Sequence, residues 1–166
     1  MERHLHFICP TDYLEPTIES SFFEDENYFM TSLGNSLVFD DDNFEEIRAF
    51  IKAKNITKIT FVLSNTNSVI LDALHHTNAL HIHGLDIFYS EIEYQKYRTH
   101  LLLGNADIEI PVISYHLFHK MNELITRLRL AHIHHLNINA QIYDRESHCF
   151  NEVFSDVFYQ KHFSLN

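Results

Sequence analysis

A thiol at Cys9, a cluster of small polar residues and a large supply of imidazole are the parts of this sequence that could do chemistry. Cys9 opens the stretch CPTDYLEP, in which Thr11, Asp12 and Tyr13 follow it. A thiol there could be nucleophilic, but neighbouring Asp12 and Glu15 do not activate it, so it reads as a small core residue. Cys149 reads as structural. The stretch ITFVLSNTNSVILDAL (59–74) sets Ser64, Asn65, Thr66, Asn67 and Ser68 between two apolar runs. None of the five is a strong acid, base or thiolate. SNTNS has no Gly and no Lys, so it is not a phosphate loop. A serine triad would need Ser64 or Ser68, and the Gly-x-Ser-x-Gly elbow is absent. The backbone N–H groups of a helix start could attract a small anion or polar metabolite, and Ser and Asn are also ordinary caps.

Fourteen histidines are present. His75-His76, His81 with His83, and His132 with His134-His135 are the clusters that could ligate metal, since His-x-His is a ligand pairing on strands. No Cys or carboxylate stands at ligand spacing beside them, so they read as surface or partly buried imidazoles. A relocated metal site would have to pair Cys9 with one of them. Exposed imidazoles predict a net charge that shrinks in magnitude below about pH 6.5.

Composition narrows the field. The chain of 166 residues fits a single domain over 1–166 with a real core. Net charge is −11, which disfavours nucleic acid and anionic membrane as partners. No apolar run of about 18 residues predicts a membrane span. MERHLHFICP lacks the apolar core of a signal peptide. Two cysteines make no disulfide framework, and free thiols predict a cytoplasmic protein.

The elements that position these residues follow from periodicity. HLHFIC (4–9) predicts a strand, and PTDYLEP (10–16) a loop broken by prolines. ENYFMTSLGN (26–35) predicts a second strand, closing on the turn pair Gly34-Asn35. DDDNFEEIRAFIKAKN (40–55) predicts a helix capped by Asp42 with Glu45 three residues on, its face built from Phe44, Ile47, Phe50 and Ile51. Unalternated KITFVL (58–63) predicts a central parallel strand, with a helix from about Thr66 to Thr77. A short strand within 80–90, helices over 91–103 and 112–133, a loop at GNADIEIP (104–111), and two strands around the turn DRESH within 136–156 complete the chain. The order predicts an α/β domain, with a mostly parallel central sheet flanked by helices. Ligands in such sheets sit at the carboxyl ends of strands. Those ends are CPTDY, SLGNS and SNTNS.

Taken together, these edges resemble the β-class carbonic anhydrases from end to end. In that family the first strand ends in Cys-x-Asp-Ser-Arg before prolines, matched by CPTDYLEP. The second runs into an Ala-Gly-Asn turn, matched by YFMTSLGN. The third ends in Gly-His-x-x-Cys-Gly, matched by FVLSNTNSV. A C-terminal β-turn-β unit is matched by NAQIYDRESHCFNEV. The resemblance implies a pocket lined by Cys9, Thr11, Asp12, Tyr13, Asn35, Asn65 and Ser68. It also implies zinc held by two Cys and a His, with an Asp-Arg dyad gating the fourth position. Here Cys9 is the only ligand-type residue retained. Asn65 stands for the His, Ser68 for the second Cys, Thr11 for the dyad Asp and Tyr13 for its Arg. Asp12 lies one place late, and Val69 replaces the following Gly.

An amide and a hydroxyl do not compete for Zn²⁺. The expectation is therefore a binding or assembly module without cofactor or metal, homodimeric as the family implies. Its pocket is partly filled by Tyr13 and Val69. The alternative is an enzyme: carbonic anhydrase-like with relocated zinc ligands, or using Cys9 on a small anion.

Overall fold

The computed structural model describes residues 1–75, 85–104 and 107–153. Among them, five strands form one sheet in the order β2-β1-β3-β4-β5, with β1 Arg3–Ile8, β2 Glu26–Thr31, β3 Lys58–Ser64, β4 Asn137–Asp144 and β5 Cys149–Glu152. β1 pairs in parallel with β2 and β3, and β3 with β4; β5 alone is antiparallel, folded back on β4. The α/β expectation holds, and β3 is central for the expected reason. Its residues Ile59–Ser64 are all buried, so both of its faces must be covered.

Side chains alternate across a strand. One sheet face therefore carries Leu5, Phe7 and Cys9 beside Ile59, Phe61 and Leu63, then Ala140 and Ile142. These pack in the main core under the helices. Phe7 and Phe61 stack there with ring centroids 4.7 Å apart. The opposite face carries His4, His6 and Ile8, then Thr60 and Val62, then Asn139 and Gln141. Its apolar cover is a smaller cluster, in which Leu14 and Ile18 pack on Ile8, Val62 and Tyr143.

Among the described residues, five helices connect and cover the strands: α1 Glu15–Ser21, α2 Asp41–Lys54, α3 Ser68–His75, α4 Asp86–Leu103 and α5 Glu109–Leu130. α2 forms as expected, but its N-cap is Asp40, which accepts from the Asn43 N–H at 2.9 Å. Asp42 lies inside the first turn, where its charge suits the helix dipole. α1 was not expected, because two prolines mask EPTIESS; Pro16 stands at the helix start, where its missing N–H costs nothing. The second strand stops at Thr31, and Leu33–Asn35 form a 3₁₀ turn. α4 begins at Asp86, five residues before the expected start, so 86–90 hold no strand; residues 76–84 lie outside the described residues. α5 begins at Glu109 ahead of Pro111 and ends at Leu130, three residues short of expectation. His132 is left-handed at φ 58°, which stops the helix. Among the described residues, no helix is long and apolar enough to cross a membrane.

Candidate functional site

At the carboxyl edge of β1, Cys9 is fully buried and its Sγ accepts from the Gly34 N–H at 3.1 Å. The same sulfur lies 3.1 Å from Thr11 Oγ1, and Thr11 Oγ1 accepts from Ser68 Oγ at 3.3 Å. Three residues expected in one pocket are thus joined in one chain of contacts. β1 delivers Cys9, the 3₁₀ turn Pro10–Asp12 delivers Thr11, and the start of α3 delivers Ser68. Asn67 caps α3 by accepting from the Ile70 N–H at 2.9 Å.

Asn65 faces elsewhere. Its amide donates to Asp144 Oδ1 at 3.0 Å, and its carbonyl accepts from the Arg145 N–H at 3.2 Å. Both ends of the side chain are committed to the β4–β5 turn. Asp144 is held below the usual carboxylate range, first by the Ser147 hydroxyl and then by backbone N–H groups and Asn65.

Asp12, one place late for the dyad, is buried and faces Ser64. It accepts from the Ser64 N–H at 2.8 Å and from Ser64 Oγ at 2.7 Å. Arg145 reaches it from the β4–β5 turn, donating to the Asp12 carbonyl at 2.6 Å with the carboxylate 4.0 Å away. The carboxylate thus ties the ends of β1 and β3 together. Tyr13 corrects an expectation: it is left-handed at φ 51° and 79% exposed, so it fills no pocket. Asn35 is buried and also left-handed at φ 55°, donating to the carbonyls of Phe7 and Val62 at 3.3 and 3.0 Å.

Apolar and imidazole groups close the space behind Cys9. Gly34 has φ 59°, and a Cβ there would lie 2.8 Å from the Phe88 ring and 3.3 Å from Val69 Cγ1. Only glycine fits such contact in that conformation. His116 Nε2 donates to the Gly34 carbonyl at 2.8 Å, leaving Nδ1 buried without a partner among the described residues. Burial, chiefly, lowers the His116 pKa to about 4. The imidazole at this site is therefore neutral at pH 7 and committed to a backbone carbonyl.

Arg145, His116 and Phe88 were missed from sequence. Arg145 and His116 lie 133 and 82 residues from the atoms they contact, and no local spacing signals such contacts. Charge in the turn DRESH was the only available hint.

A zinc ion needs thiolate, imidazole or carboxylate donors. The groups that meet here are one thiol and two hydroxyls, with the Asn65 amide tied to the β4–β5 turn. They do not fit zinc. Among the described residues, no group of three or more His, Cys, Asp and Glu could hold a metal ion. His132, His134 and His135 are exposed after α5, away from Cys9's edge of the sheet, whereas His76, His81 and His83 lie outside the described residues.

No family profile matches the sequence, and no curated protein does. Solved structures do match. The β-carbonic anhydrase CafD of Aspergillus fumigatus superposes with a TM-score of 0.73 at 15% identity, over 93% of this chain and 90% of that one. CafA of the same fungus gives 0.73 at 12%, over 91% and 74%. A β-carbonic anhydrase from a study of two tetrameric enzymes of Sordaria macrospora gives 0.66 at 11%, over 92% and 80%. Across nearly its whole length, the chain has the β-carbonic anhydrase fold.

Proposed function

We propose that this chain is a β-carbonic-anhydrase-like protein that has lost zinc binding and CO₂ hydration. It acts as a non-catalytic binding or assembly module, a homodimer of one domain over 1–166 in the cytoplasm. One observation carries the reading: the contact chain Cys9–Thr11–Ser68, with Asn65 bonded away to Asp144 and Arg145. Where the resemblance calls for a second thiolate and an imidazole, the fold supplies a hydroxyl and a committed amide. Hydroxyl and amide oxygens do not bring a metal-bound water towards neutral pKa at neutral pH. The oligomeric part draws on the tetrameric Sordaria enzymes.

Metal analysis of untagged protein, paired with a CO₂ hydration assay, tests the reading. The expected result is no stoichiometric zinc and hydration at background. Stoichiometric zinc, with hydration lost in Cys9→Ala, overturns it.

A further inference from the structure

α4 buries polar side chains and exposes large apolar ones. Its buried positions are Phe88, Ile92, Gln95 and Thr99, so two of four are polar. Its solvent side carries Ile87 at 68% exposure, Tyr94 at 59%, Tyr97 at 62% and Leu101 at 68%. A surface helix normally shows the reverse distribution. The exposed residues are not scattered. Ile87, Tyr94 and Leu101 recur every seven residues, and Tyr97 follows Tyr94 by three, which is the seam spacing of a paired helix. Side chains of this size bury 150–250 Å² each when covered, so the stripe offers roughly 500 Å² of uncovered area. A stable interface needs about 800 Å² per partner, which the polar flanks of the helix would complete.

Charge beside the stripe selects the occupant. Glu91 and Arg98 lie on the same flank, seven residues apart, one on either side of Tyr94, with the Glu91 carboxylate 3.9 Å from Lys120 of α5. Arg98 is held in place, its guanidinium over the Tyr94 and Tyr115 rings at 5.8 and 5.7 Å. Two copies of α4 related by a two-fold axis near Tyr94 run antiparallel. Glu91 of each then faces the Arg98 side of the other, and Ile87 meets Leu101. Parallel pairing about a two-fold would set this flank against the opposite one, which carries Glu93 and His100, and the Glu91–Arg98 pair would be lost. The helix is thus complementary to itself in one orientation, as an isologous interface requires.

We propose that the exposed face of α4 is the docking surface for a second copy of this chain, seated antiparallel through Ile87, Tyr94, Tyr97 and Leu101. This rests on the assembly reading above and adds the surface that performs it. Sedimentation velocity at micromolar concentration tests it. Wild-type protein is expected at a multiple of 19.7 kDa. Ile87→Glu and Leu101→Glu, both at exposed positions, are expected to cut the associated fraction at least tenfold with an unchanged circular dichroism spectrum. Glu91→Arg is expected to weaken association, and adding Arg98→Glu to restore it, because the swap rebuilds the charge pair in reverse. Wild-type protein at 19.7 kDa alone overturns both the surface and the assembly reading. Association that survives Ile87→Glu and Leu101→Glu together overturns the surface and leaves assembly standing. Zinc content and hydration report separately on the lost metal site.

Discussion

The two faces of the sheet solve the same problem with different chemistry. The helix-covered face buries Leu5, Phe7, Ile59, Phe61 and Leu63, all nearly inaccessible and all apolar. The other face buries His4, His6 and Thr60 just as completely. His4 Nε2 bonds Thr60 Oγ1 at 2.7 Å and His6 Nε2 bonds Asn27 Oδ1 at 2.8 Å. The two imidazole rings lie 3.7 Å apart, and their Nδ1 atoms are buried without hydrogen-bond partners among the described residues. Burial tolerates apolar groups whatever the pH. It tolerates imidazole only while the ring is neutral. The apolar side chains of one face should therefore hold the fold steadily, and the histidines of the other should hold it conditionally.

Acid gives the largest expected effect. Burial, then His6 and Lys58, drives the His4 pKa far below its ordinary 6.5. Burial lowers His6 to about 4, with Asn27 opposing. His116, on the apolar side, stands at about 4 as well. A folded pKa below the unfolded one means that the unfolded chain binds more protons between the two values. Stability is therefore fully present above about pH 6.5 and falls as the pH drops towards 4, by up to about 1.4 kcal/mol per pH unit for each group. Urea midpoints at pH 7.5, 6.5 and 5.5 should show the decline, with a slope of up to about 4 kcal/mol per pH unit if all three histidines contribute fully. His116→Asn should remove about a third of that slope and isolate the sheet-face pair. A flat profile breaks the comparison.

The steady face is probed by Phe61→Ala, which should cost about 3–5 kcal/mol through the cavity it leaves. That cost should be the same at pH 7.5 and 6.5, and a strongly pH-dependent cost would undo the contrast. Smaller still is Asp12→Ala at the sheet edge. It leaves the Ser64 N–H and hydroxyl without their acceptor and should cost about 1–3 kcal/mol. Asn65→Ala is the smallest, about 1 kcal/mol or less, because its partners Asp144 and Arg145 reach solvent. If Asn65→Ala costs more than Asp12→Ala in chemical denaturation, the site is not held together at Asp12.

Some of this is legible in the amino-acid sequence. β3 could be read because six unalternated residues of β-branched and aromatic character leave one reading, a strand buried on both faces. The turn DRESH (144–148) and the strands beside it could be read because hairpin signals are local. α1 could not, since its proline start looks like a loop until tertiary contacts bury Ile18. The cap of α2 slipped by two because Asp40, Asp41 and Asp42 are chemically equivalent until backbone geometry chooses one.

At the site, residue types alone determined what it lacks: Asn65 and Ser68 cannot become an imidazole and a thiolate in any fold. Tertiary structure decided everything that depends on direction. It turned Asn65 to Asp144, brought Arg145 to Asp12, sent Tyr13 to solvent and packed Phe88 and Val69 on Gly34. Donor chemistry is a property of each residue and is carried by the sequence. Where a donor points is a sum of long-range contacts, and those exist only once the chain has folded.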